Sequence, residues 1–103
     1  MELDGVGAIV ASRKIELLSE PGSKEVLVRL GKPQPFPDSS GFFCPIQVVG
    51  AGDEKVRYAG GLDEIQSLQL ALRMASVLLE TLDPKIRARL RWNGSQDLGF
   101  AVP

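Results

Sequence analysis

The chain has 103 residues, 44% apolar and 24% charged, with a net charge of −1 and a mean hydropathy near zero. That is enough chain for one domain, 1–103, burying roughly 65% of its unfolded surface, and too balanced a charge to attract DNA, RNA or anionic lipid over a distance. No stretch approaches the ~20 apolar residues of a membrane span, no histidine is present, and the single cysteine, Cys44, cannot form an internal disulfide.

The start, "MELDGVGAIVAS", carries acids where a signal peptide needs positive charge, and its apolar run is short. With one unpaired cysteine, this predicts a protein of the reducing cytosol. "SRKIELLSE" (12–20) then sets Ile15 and Leu17 opposite Lys14 and Glu16, and "KEVLVRL" (24–30) sets Val26, Val28 and Leu30 opposite Glu25 and Arg29. Strict alternation marks strands. "PGSK" between them supplies turn residues, with Gly22 able to take a positive φ, so the pair is expected to form an antiparallel hairpin.

"GKPQPFPDSSG" (31–41) has a proline at every second position from 33 to 37, which removes ladder donors and predicts a stiff extended loop. Phe36 at its tip, with Asp38 beside it, is a candidate protein anchor; a plain connection is the other reading. "FFCPIQVVG" (42–50) reads as a third strand, placed at an edge or bulged because of Pro45. Cys44 shares its phase with Phe42, Ile46 and Val48, so a buried, inert thiol is expected. "EKVRYAG" (54–60) reads as a fourth strand, with Val56 and Tyr58 on one side.

The strongest signal is "GGLDEIQSLQLALRMASVLLETLDP". Asp63 followed by Gln66 is a capping-box pattern, and Pro84 disfavours helix at Asp83. The spacing predicts a helix over about 63–82. Its main apolar stripe is Ile65, Leu68, Leu72, Ala75, Leu78, Leu79 and Leu82, and its polar face is Gln66, Gln69, Arg73, Ser76 and Glu80. Leu70, Met74 and Val77 make a second stripe that one sheet cannot also cover. The C-terminal segment, a second copy of the chain, or another protein is expected to meet it.

"KIRARLRW" (85–92) alternates again, predicting a strand with Ile86, Ala88, Leu90 and Trp92 inward and Lys85, Arg87, Arg89 and Arg91 in water. Arg87, Arg89 and Arg91 are candidates for an acidic protein patch. A nucleic-acid role is disfavoured by the charge balance and by Trp92 lying on the apolar phase. Asn93-Gly94 marks a turn. A three-residue loop, 93–95, would pair Leu90 with Leu98 and keep like with like, leaving "DLGFAV" as a closing strand. The sum is an α+β fold, an antiparallel sheet of four to six strands with one long helix on one face.

Catalytic patterns are missing. Without histidine the commonest general base and zinc ligand are gone, and neither Gly-rich stretch has the spacing of a phosphate loop. The expectation is no enzyme, no cofactor and no metal.

The ordered set "VRLGKPQP", a Cys-Pro strand, "GLDEIQSLQLALRM", "LRW" and "DLGF" resembles a family of short bacterial proteins known only as a domain of unknown function, from Arg13 to the end. That resemblance implies a small bacterial single-domain protein and carries over no catalytic residue. By general type the chain is also similar to immunity proteins of bacterial toxin systems. The expected function is therefore a non-catalytic cytosolic binding protein, most specifically an inhibitor of a cognate toxin. A homodimeric adaptor or a small-ligand-binding domain is the alternative.

Overall fold

A computed structural model describes residues 1–100. Its strands are β1 (Ile9–Ser19), β2 (Gly22–Gly31), β3 (Gln34–Pro35), β4 (Phe42–Val49), β5 (Arg57–Gly61) and β6 (Leu90–Arg91), and its helices are α1 (Glu64–Glu80) and the single turn α2 (Pro84–Arg87). The fold is α+β: a six-stranded antiparallel sheet with the 17-residue α1 packed on it. β6, β1, β2 and β4 lie side by side in that order, and β3 and β5 both pair with β4.

The β1–β2 hairpin is longer than its two alternating segments, and its register runs from Ile9↔Gly31 to Ser19↔Gly22. Only Glu20 and Pro21 turn the chain. Gly22 already opens β2 and needs no positive φ, contrary to expectation. Alternation places Ile15, Leu17, Val26, Val28, Leu30, Cys44, Ile46 and Val48 in one buried cluster under α1. β4 is no edge strand, because Ile46 pairs with Leu30 on one side and Arg57 on the other. Pro45 falls where β4's neighbour changes from β2, whose pairing reaches only Ile46 of β4, to β3, whose pairing starts at Phe43 of β4. The proline thus occupies an interruption in the ladder. β5 starts later than expected, leaving Val56 outside it.

α1 begins as its capping pattern predicts. The Asp63 carboxylate accepts from the Gln66 N–H at 2.7 Å, and the Gln66 side-chain oxygen accepts from the Leu62 N–H at 2.7 Å. The helix sits close to the sheet because small residues line its underside: Ser67, Ala71 and Ala75 are buried. A side chain at Gly61 would meet the Ser67 backbone nitrogen, so only glycine permits that approach. The Ser67 hydroxyl donates to the Glu64 carbonyl at 2.8 Å, so its burial leaves no orphan donor.

The segment 85–92 is not one strand. Asp83 caps α2, accepting from the Lys85 N–H at 2.8 Å, and Pro84 takes the first helical position. There the missing N–H costs nothing and the fixed φ already suits a helix. Only Leu90 and Arg91 remain extended, opposite Leu17 and Glu16. The next turn also departs from expectation. Trp92 and Ser95 exchange two backbone hydrogen bonds at 2.9 Å around Asn93 (φ 49°) and Gly94 (φ 77°), a two-residue loop of the type that matches strand twist. The chain leaves the ladder after that single bridge, so the expected pairing of Leu90 with Leu98 does not form. No closing strand forms in 96–100, and Ala101 and Val102 of the expected strand lie outside the described residues.

Candidate protein-binding surface

The rotation of α1 decides which apolar residues remain available. The buried line runs through Ser67, Ala71, Ala75 and Leu79, centred further round the helix than the expected main stripe. Leu70 and Met74, read as surplus, pack against the core, and Val77 stays half exposed. Leu70 borders a cleft with Gly99 and Phe100, and Val77 borders one with Leu98 and Phe100, whereas Met74 borders a cavity shared with Tyr58 and the N-terminal residues Met1–Asp4. Ser76 and Leu79 line the same cavity as Val77 and Leu98, and Ser76 is buried although it reads as part of the polar face.

Residues expected in the core face water in exchange. Ile65 and Leu72 are 67% and 39% exposed on one flank of α1, and Leu62, just before the cap, is 82% exposed. The sequence shows them as apolar, but only the helix rotation shows them as surface. Beside this flank runs a cleft of about 610 Å³, bordered by Arg13, Gln69, Leu72, Arg73 and Phe100 and carrying no carboxylate.

Arg13 is the residue that the sequence reading overlooked. It lies on the apolar phase of β1 with Ile15 and Leu17, an unusual place for a cation. Its guanidinium carbon sits 4.0 Å from the Trp92 ring centre and 4.6 Å from that of Phe100, and it donates to the Leu98 carbonyl at 3.0 Å. Two aromatic faces and a carbonyl replace the water it gives up. A cation in the wrong phase, followed by a Trp and a Phe near the chain end, was the available signal.

The other expected site residues are dispersed. Phe36 is not a free tip: its ring packs 5.3 Å from Phe43 and 5.9 Å from Tyr58, half buried. Asp38 stays exposed and accepts from the Ser40 N–H at 3.0 Å; its contacts with Ser40 hold its carboxyl below the usual range. The arginines turn to the chain itself. Arg87 pairs with Glu80 at 2.9 Å and donates to the Gln96 carbonyl, Arg89 donates to the Leu18 carbonyl at 2.6 Å, and Arg91 donates to those of Ala88 and Leu90.

Among the described residues no group of three or more His, Cys, Asp or Glu is placed to hold a metal ion, and no helix is long and apolar enough to cross a membrane. Cys44 is fully buried, its thiol donating to the Gly31 carbonyl at 3.4 Å, and burial pushes its pKa up to about 11.

No curated protein and no solved structure matches this chain. Residues 11–102 match the model of a family described as a domain of unknown function (DUF6968), and the chain belongs to that family.

Proposed function

We propose that this chain is a non-catalytic binding protein of the cytosol that docks a protein partner on the exposed flank of α1, and that the partner is a cognate toxin it neutralises. The observation that carries this reading is the set Leu62, Ile65 and Leu72, three large aliphatic side chains left in water beside a cleft with two arginines and no carboxylate. Exposed large apolar side chains grouped on one side of the molecule suit an interaction site, and a basic border favours a partner with acidic groups there. The inert Cys44 thiol and the chain's lack of histidine support a role without covalent or acid–base chemistry.

Co-expression with the product of the reading frame next to the chain's own gene, under conditions where that product alone arrests growth, tests the proposal. The wild type should restore growth, and Ile65→Glu should abolish rescue while the purified variant keeps its helix content and thermal midpoint. Rescue that is indifferent to Ile65→Glu counts against the flank, and absence of any rescue counts against the toxin.

A further inference from the structure

We infer that the chain forms a symmetric dimer by pairing β1 with β1 of a second copy, centred on Ser12. β6 covers the outer edge of β1 only at Glu16 and Leu17, and among the described residues nothing pairs with that edge from Ile9 to Ile15. The direction of the free groups follows from the ladder. The Leu18 N–H donates outward to Arg89 and its carbonyl accepts the Arg89 side chain. In an antiparallel strand these outward groups recur at every second residue, so Ser12 and Lys14 present N–H and carbonyl groups to the same open edge. An uncovered edge of this kind is a template for another strand.

The second copy is the occupant because the edge is complementary to itself, and Ser12 is the centre whose own pair lies on the regular ladder. Centring on Ala11 opposes no cations but rests its hydrogen-bonded pairs on Val10, where β1 is bulged against β2. Centring the pair on Ser12 sets Arg13 opposite Ala11 and Lys14 beside Val10 of the other copy, so no cation faces a cation. Centring it on Arg13 opposes two arginines directly. Centring it on Lys14 opposes two lysines and also calls on the edge of Glu16, which β6 already holds. Like charges directly opposite are unfavourable, so the charges on this edge select a pairing. The Ser12 register also lays the half-exposed Ile9 and Val10 along the other copy, and it joins the two sheets across a twofold axis.

Because Cys44 is buried, an engineered cysteine would be the only reactive thiol, which makes the register directly measurable. Paired Ser12 Cα atoms would stand about 5.5 Å apart, within disulfide reach, whereas two Lys14 positions would be about 13 Å apart along the strands. The expected results are sedimentation at twice the 11.1 kDa of the chain, rapid oxidation of Ser12→Cys to a linked dimer, and none for Lys14→Cys. Ser12→Pro removes an outward N–H that the monomer does not use and should give a folded monomer with an unchanged thermal midpoint. A monomer at high micromolar concentration overturns the inference, as does a dimer that persists in Ser12→Pro or fails to link through Ser12→Cys. So does a dimer that appears only when residues 101–103 are deleted, since the chain's own tail would then be the occupant. This inference stands apart from the partner reading: Ile65→Glu should leave the dimer intact.

Discussion

At Cys44 burial alone sets the chemistry. In the folded chain the thiol titrates near 11, against 9.0 for an unhindered cysteine. Below pH 9 both folded and unfolded chains keep the proton, so the thiol contributes no pH dependence. Between about pH 9 and 11 the unfolded chain ionises while the folded one cannot, and stability falls as pH rises, by on the order of 1–3 kcal/mol over the interval. Urea midpoints at pH 8 and pH 10.5 should therefore differ more for the wild type than for Cys44→Ala, which lacks the titrating group. Equal pH dependence in the two proteins would show that the thiol is not shielded. This residue was legible in the sequence, because a cysteine in phase with Ile46 and Val48 has only the core to face.

Phe36 was not legible in the same way. Its neighbours in the chain are prolines, and its partners Phe43 and Tyr58 come from β4 and β5. Local composition showed a stiff loop, but only the sheet shows that the loop folds back onto it.

At the scale of elements, α1 and the β1–β2 hairpin were readable because local and tertiary preferences agree there. The cap at Asp63 carries a testable share: Asp63→Ala strands the Gln66 N–H and should cost about 1 kcal/mol, seen as a lower urea midpoint with an unchanged slope. The segment after α1 was misread because alternation over eight residues is weaker evidence than the Asp-Pro pair that precedes it. Asp83 and Pro84 start a helical turn as effectively as they end the previous helix. The rotation of α1 was missed for a related reason. Close packing on Gly61 favours small residues underneath, so the bulkiest stripe does not mark the buried face.

The tail offers a paired test at this scale. Gly94 and Gly99 both have positive φ, at 77° and 79°, so alanine is strained at either, by about 1–2 kcal/mol. A side chain at Gly94 meets nothing within 4 Å, whereas one at Gly99 would strike the Trp92 ring. Gly94→Ala should thus lose only that amount and keep the native tryptophan emission. Gly99→Ala should also push Trp92 off Arg13, with a larger loss and a shifted emission maximum. Identical emission from the two variants would mean that the Arg13–Trp92 stack does not anchor the tail.

At the scale of the whole molecule, the chain is elongated, 49 × 29 × 21 Å, and the β1–β2 hairpin is its longest strand pair, with only the two-residue β6 on the outer side of β1. A long hairpin next to shorter neighbours leaves one open edge, and a helix seated on small residues leaves one apolar flank uncovered. The sequence predicted that some apolar stripe of α1 would exceed what a sheet can hide. It assigned the surplus to Leu70, Met74 and Val77, whereas the structure covers the first two and leaves Leu62, Ile65 and Leu72 bare. The number of apolar positions was readable from spacing; which of them face water depends on the sheet beneath.

The flank of α1 is the central claim, and isothermal titration with the purified product of the adjacent reading frame, the proposed partner, tests it most directly. Three proteins are compared: the wild type, Ile65→Glu on the flank, and Asp38→Ala on the proline loop. Placing a carboxylate in the middle of a desolvated contact should weaken binding at least about 100-fold, roughly 2.7 kcal/mol, while Asp38→Ala stays within about twofold of the wild type. The opposite pattern, with Asp38→Ala impaired and Ile65→Glu binding at full strength, would contradict the account and move recognition to the loop.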